Sequence, residues 1–355
     1  MKQLIGGWLR RRFSDPQAVI LALLLIAGFA LVVTTGEMLA PLLASIVIAY
    51  LLEGLIGKLE QLGAPRLLVV VLVLLLFMAF LAVLFLALLP IMWQQMSDLF
   101  QELPGYIASG QQALMELPAR YPFVSEVQVQ EIMTMIRTEV GGLGQHILSI
   151  SLSSLAGGIT LLVYLILVPV LVFFLLKDKE HIIEWIKGYL PHERTLLTEV
   201  WEELDQQLGN YVRGKFWEIL IVAAASYLLF AFMGLKYAML LAVLVGFSVL
   251  VPYIGAAVVT IPIAVVAYFQ WGLDSRFAWL MVAYAILQAL DGNVLVPLLF
   301  SEVVNLHPVA IIVAVLFFGG IWGFWGVFFA IPLATLVSAV LRAWPRHGEE
   351  GEIAG

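Results

Sequence analysis

The sequence predicts an all-α polytopic membrane protein with about eight transmembrane segments, including two broken-helix or re-entrant hairpin regions. Three observations carry this prediction. Hydrophobic residues are 63% of the chain and charged residues 12%, against roughly 45–50% and about 25% in soluble domains. Mean hydropathy is +1.03, and several apolar runs reach the length of about 20 residues that spans a hydrocarbon core. The third is the stretch DGNVLVPLLFSEVVNLHPVAIIVAVLFFGGIWGFWGVFFAIPLATL at 291–336. It opens on Asp291 and Asn293, then carries Pro297, Pro308 and Pro332 and five glycines between Gly292 and Gly326. A carboxylate or a broken backbone is costly in lipid unless protein or a wet cavity surrounds it.

The elements follow in order. Region 1–90 holds N-terminal spans at 18–35, 38–56 and 67–90. The first follows Arg10-Arg11-Arg12 like a signal peptide, but it lacks a convincing small-residue cleavage site and reads as an uncleaved span. A helical insert at 91–150 precedes a span at 151–176, and an amphipathic segment occupies 177–217. The C-terminal bundle, 218–341, contains a span at 218–235, a broken region at 237–271, a span at 277–299 and a second broken region at 308–341. A tail closes the chain at 342–355.

Lysine and arginine orient the spans. Lys2 and Arg10–Arg12, the 57–66 loop with Lys58 and Arg66, and the 177–217 loop with Lys177, Lys179, Lys187, Arg194, Arg213 and Lys215 fall on one side, which the bias makes cytoplasmic. The 91–150 insert falls outside, and both termini are expected in the cytoplasm of a bacterial inner membrane. The 237–271 region is either two short crossings joined at Val251-Pro252-Tyr253-Ile254-Gly255 or one re-entrant hairpin. The 308–341 region folds back near Phe318-Gly319-Gly320-Ile321-Trp322-Gly323 under the same alternatives. Each returns the chain to the side it entered, so charge counting does not separate them.

The two broken regions also resemble each other. GAAVVTIP at 255–262 matches GVFFAIP at 326–332 in plan: a break, then an Ile-Pro on the returning arm. Paired interruptions of this kind mark the substrate site of repeat-built transporters. The insert carries apolar stripes at Trp93, Met96, Phe100, Leu103 and Ile107 and at Val129, Ile132, Ile136, Val140, Leu143 and Ile147. Leu103-Pro104-Gly105 is expected to bend or break the first of these. Leu197, Trp201, Leu204, Leu208 and Tyr211, spaced alternately by four and three, form a coiled-coil-like seam. It serves either packing on the bundle or a subunit contact.

Candidate binding residues are Asp291, Asn293, Glu302 and His307. Asp291 in a span suits a proton or cation site, with Asn293 adding a carbonyl ligand or hydrogen bond. Asp-Gly-Asn is equally good turn or capping chemistry. Glu302 and His307 lie in a short connector, as solvated residues or as a proton gate. Helix-break or hinge candidates are Pro252, Gly255, Pro297, Gly319, Gly320, Gly323, Gly326 and Pro332. The Gly319–Gly326 cluster reads as a hinge or hairpin tip.

Composition and motifs also exclude classes. No cysteine is present, so disulfides and thiolate metal sites are out. His192-Glu193 does not extend to a metalloprotease motif, and neither a nucleophile elbow nor a P-loop lysine occurs. No enzyme activity, cofactor or metal is expected. A net charge of −7 and the lack of a basic tract argue against nucleic acid.

Tyr211-Val212-Arg213-Gly214, Val251-Pro252-Tyr253-Ile254-Gly255, DGNVLVP at 291–297, LHP at 306–308 and WGFWGVFFAIPLATL at 322–336 together resemble the AI-2E (autoinducer-2 exporter) transporter family. The resemblance covers nearly the whole chain. It implies an oligomeric inner-membrane protein, with some members linked to export of autoinducer-2 and others to sodium/proton exchange. The expected function is secondary transport of a small polar solute or monovalent cation across the lipid bilayer, coupled to protons or sodium, by a homo-oligomer. A membrane scaffold acting through its extramembrane helices, or a passive channel, are the alternatives.

Overall fold

Long apolar runs leave the backbone one way to satisfy its polar groups within a single segment, and the chain takes it: among the described residues the regular structure is helical. The computed structural model describes residues 16–120, 154–190, 195–300 and 306–343, together with 131 and 134. The Arg10–Arg12 cluster, the Val129–Ile147 stripe, Glu302 and the tail beyond 343 lie outside the described residues.

Helices α1 (Pro16–Glu60), α2 (Arg66–Arg120), α3 (Ser154–Lys177) and α4 (Lys179–Gly188) come first, followed by α5 (Thr195–Met233), α6 (Ala238–Ser248), α7 (Ile254–Trp271) and α8 (Ser275–Leu290). A π-helical turn, Asp291–Leu295, joins α8 to α9 (Val296–Phe300). Then come α10 (Pro308–Trp322), α11 (Phe324–Phe328) and α12 (Ala330–Ala343). Among the described residues five helical stretches are long and apolar enough to cross a bilayer: Met38–Glu60, Arg66–Gln112, Thr195–Met233, Ile254–Trp271 and Ser275–Phe300. Shorter apolar helices accompany them, and the fold is that of an all-α polytopic membrane protein.

Two expectations change. The spans expected at 18–35 and 38–56 form one helix of 45 residues, α1, with no reversal between them. Pro41 sits inside it, where Ser45 Oγ donates to the Pro41 carbonyl at 2.6 Å. At about 1.5 Å per residue, α1 is roughly twice as long as a hydrocarbon core is thick. With no reversal between them, the two stretches do not count as alternating spans, so charge alternation no longer places the N-terminus beside the 57–66 loop. Likewise α2 runs 55 residues through Pro104 and Gly105, so of the expected bend or break the break does not occur.

The remaining sidedness holds together. Arg66 donates to the Leu176 carbonyl at 2.7 Å and pairs with Glu60 at 3.1 Å, while Lys179 pairs with Glu53 at 3.1 Å. The 61–65 turn and the end of α3 thus share one basic end of the bundle. At the other end Lys236 pairs with Glu102 of α2 at 2.9 Å. Hydrogen bonding to that carboxylate raises the Lys236 ammonium above its ordinary range.

Among the described residues burial falls into three cores. Leu52, Ile56, Val70, Val73, Val172 and Leu176 join α1, α2 and α3. Phe230, Leu240, Leu241, Val245, Ile263, Leu280 and Tyr284 join α5 to α8. Tyr211, Phe300, Ile311, Phe318, Phe328 and Ile331 join α5 to α9–α12. Helix α5 belongs to both of the last two and is the spine of the C-terminal half.

The broken regions are two hairpins. In the first, α6 has 11 residues, about 16 Å, too short to cross the roughly 30 Å core. Lys236 N–H donates to Gln270 Oε1 at 2.8 Å, and Gln270 Nε2 donates to the Gly234 carbonyl at 2.7 Å, so both feet stand at one end. The shortness of α6 fits a re-entrant arm, while α7 has the length of a crossing. The second hairpin reverses at Gly323, with φ of 57°, after the 15 residues of α10.

The arms touch by the same device. A Cβ at Gly255 would fall 1.8 Å from the Ser248 carbonyl oxygen, and one at Gly326 would fall 1.9 Å from that of Phe318. Only glycine admits such backbone contact.

Candidate functional site

Extending the α5 seam by the same alternation reaches Lys215 and Glu218 after Tyr211. The apolar part of the seam packs inward, with Trp201 still exposed, and its two charged members are buried at 5% and 2% exposure. Charge and position alone assign Lys215 to the cytoplasmic loop, whereas α5 carries it uninterrupted into the bundle. Gly214 makes room beside it, since a Cβ there would meet the Phe300 ring at 2.6 Å.

These residues line a cavity of about 480 Å³ enclosed by α5, the first hairpin's tip, the α8–α9 junction and the base of the second hairpin. Tyr211, Lys215 and Glu218 come from α5, Ser248, Val249, Val251, Pro252 and Tyr253 contribute the tip, and Gln288, Asp291 and Pro297 come from the facing helical segment. Leu306, Pro308, Ile311 and Ile331 complete the wall.

Lys215 Nζ donates to Glu218 Oε2 at 2.7 Å and to the Val249 carbonyl at 2.8 Å, and it lies 5.3 Å from the centre of the Phe300 ring. Tyr211 Oη donates to the Phe328 carbonyl at 2.8 Å, Ser248 Oγ to the Val245 carbonyl at 2.7 Å, and Gln288 Nε2 to Tyr284 Oη at 3.0 Å. By contrast Asp291 Oδ1 and Gln288 Oε1 are buried without a hydrogen-bond partner. Three residues apart on one helix, these two lie on the same face.

Of the residues expected to form the site, Asp291, Pro252 and Pro297 line the cavity. Asn293 is exposed, and its Nδ2 donates to the Ala289 carbonyl at 2.8 Å. That bond serves the altered backbone register of the π-turn, whose end is marked by Val296 N–H reaching back to the Asp291 carbonyl. His307 caps α10, its Nδ1 accepting from Val309 N–H at 3.3 Å. Gly319, Gly320 and Gly323 belong to the second hairpin's turn, away from the cavity. Gly255 and Gly326 hold the arms together, and Pro332 sits in the first turn of α12.

Lys215, Glu218, Gln288 and Ser248 were not singled out from sequence. The alternation of the α5 seam was the available signal for the first two. Gln288 had the weaker one of standing one turn before Asp291.

Residues 18–346 match the family described as AI-2E family transporter. The chain belongs to this family. It is 48% identical over 355 residues to "Putative permease PerM" of Escherichia coli (strain K12), covering 100% of this chain and 99% of that protein. "Putative transport protein YueF" of Bacillus subtilis (strain 168) is 29% identical over 306 residues, 84% of this chain and 82% of the relative. A second protein of that organism, "Putative transport protein YrrI", is 26% identical over 305 residues, 85% of each. Membership of the AI-2E family makes this a multi-pass membrane transport protein of the permease kind.

Proposed function

We propose that this AI-2E family member is an inner-membrane secondary transporter whose cargo is a monovalent cation or a small polar solute rich in hydrogen-bond donors, exchanged against protons or sodium. The observation that carries this reading is the uneven hydrogen-bond inventory of the cavity. Tyr211, Lys215, Ser248 and Gln288 already donate to protein acceptors, whereas Asp291 Oδ1 and Gln288 Oε1 have no donor. A buried acceptor without a partner is costly, and a cation or donor-bearing solute relieves that cost where an anion does not.

Asp291 is then the exchange group: cargo and proton compete for its carboxylate. The basic end of the bundle, with the C-terminal end of α12, faces the cytoplasm in this reading. The homo-oligomer implied by family resemblance belongs to the proposal and is read from the mass of the solubilised protein.

The test is flux in proteoliposomes, screening sodium, protons and small hydroxylated metabolites under imposed gradients. Asp291→Asn is expected to lower exchange by about tenfold or more, the scale set by losing an ionic ligand, with unfolding temperature retained. Full, pH-sensitive flux in Asp291→Asn would sink the assignment.

A further inference from the structure

Helix α5 holds both hairpins by side-chain donors one turn apart. Tyr211 donates to the Phe328 carbonyl of the second hairpin, and Lys215 to the Val249 carbonyl of the first. The second attachment lies among rings, with Tyr211 and Phe328 packed edge-on at 5.9 Å. The first lies at the end of α6, where carbonyls lack intrahelical donors and a cation is favoured. The root of the tip is buried at Val249 and Leu250, whereas its apex, Tyr253 and Ile254, is exposed at 59% and 39% and is bonded only within its own turn, Gly255 N–H to the Val251 carbonyl at 2.9 Å. Pro252 has no N–H, and Tyr253 occupies a positive φ of 62°, a region disfavoured for a bulky residue.

We infer that Lys215 is the positioning residue that pins the tip of the first hairpin, and that this tip is the movable wall of the cavity. The inference rests on the transport reading for its purpose but not for its geometry. Lys215 does not hold cargo, because its ammonium is engaged by Glu218, the Val249 carbonyl and the Phe300 face. It joins three walls of the cavity at one atom. Releasing the Val249 bond loosens the exposed turn at Val251–Ile254 along the cavity wall, while Leu250 stays anchored in the core it shares with the second hairpin. Among the described residues Asp291 is the remaining charged group lining the cavity. An ionised, unoccupied Asp291 draws Lys215 away from Val249, and a cation seated on Asp291 leaves the tip pinned, so occupancy closes the wall.

The chain has no cysteine, so one engineered thiol reports alone. Ala256→Cys, on the tip side of the cavity, is reacted with a membrane-impermeant maleimide in membranes of either orientation. Lys215→Met alone would strand a buried carboxylate, so it is combined with Glu218→Gln, leaving no unpaired charge in the pair. Labelling of Ala256→Cys is expected to rise about tenfold in the Lys215→Met/Glu218→Gln background, the scale of one charge-assisted hydrogen bond. Lys215→Arg, which keeps the donor and the charge, is expected to restore slow labelling. Val70→Cys, in the separate core of α1–α3, is expected to stay unreactive throughout.

Unchanged Ala256→Cys labelling in the double variant overturns the inference, as does a parallel rise at Val70→Cys, which would mean general loosening. If the parent shows no flux yet its labelling responds to Lys215, the transport reading fails and the pinned tip stands. If flux is present and labelling ignores Lys215, the pinned tip fails and the transport reading stands.

Discussion

The two hairpins share a plan and differ in what holds them. Each presses a glycine of the returning arm onto a carbonyl of the outgoing arm, Gly255 on Ser248 and Gly326 on Phe318. Each is tied to α5 through a backbone carbonyl. In the second hairpin the tie is a phenol among aromatic rings, and the turn at Gly323 lies away from the cavity. Phe29 of α1 lies 5.4 Å from Trp322 beside that turn. In the first, the tie is half of a buried ion pair and the tip is itself a cavity wall. Local backbone chemistry therefore makes a hairpin, while the tertiary partner decides whether it is a fixture or part of a site.

The shared element is the sharpest place to break this comparison. Gly255→Ala and Gly326→Ala each place a Cβ inside the opposing carbonyl. Both are expected to destabilise by about 3 kcal/mol or more, the upper range for overpacking, or to prevent assembly. Gly320→Ala, with nothing within 4 Å of its Cβ position, is expected to stay within about 0.5 kcal/mol. Thermal unfolding in detergent reads all three, and a tolerant Gly326 beside an intolerant Gly255 would show that the arms do not share one construction.

The ties themselves come next. Glu218→Gln leaves the Lys215 ammonium buried without its counter-ion and is expected to cost about 3–5 kcal/mol. Tyr211→Phe removes one neutral hydrogen bond and is expected to cost about 1 kcal/mol. Equal losses in denaturant titration would remove the distinction between a charged and a neutral tie.

The smallest effect is expected at the feet of the first hairpin. Lys236 and Glu102 are 50% and 40% exposed, so Glu102→Gln should change stability by about 0.5 kcal/mol or less. Because the folded-state pKa of Lys236 is raised, its contribution is complete below the ordinary value of 10.5 and is lost only as pH rises beyond it. Unfolding temperature is therefore expected not to separate the variant from the parent between about pH 5 and pH 9 by any growing margin. A difference that widens across that window would place another titrating group in the contact.

Much of the fold was legible residue by residue. The apolar runs located the helices, and Pro252 and the Gly319–Gly323 cluster marked the two reversals. Asp291 stood out because a carboxylate in an apolar span is costly on its own terms. Asn293 carried the same signal for a different cause, since its amide satisfies a carbonyl within its own helix. Gly36-Glu37 has the composition of a boundary between two spans, yet neither residue forbids helix, and α1 runs through both. Lys215 was read as a loop charge because only charge and position along the chain were visible.

Apolarity, helix breakage and the membrane class are properties of short windows, set by transfer free energy and backbone sterics, and the sequence alone determined them. The cavity is a different matter. Val249 lies 34 residues from Lys215, and Phe328 lies 117 from Tyr211. Whether a buried charge is paired, and whether a carbonyl is held, depends on which distant segment arrives beside it. Only the tertiary structure decided that Lys215 is engaged and Asp291 is not.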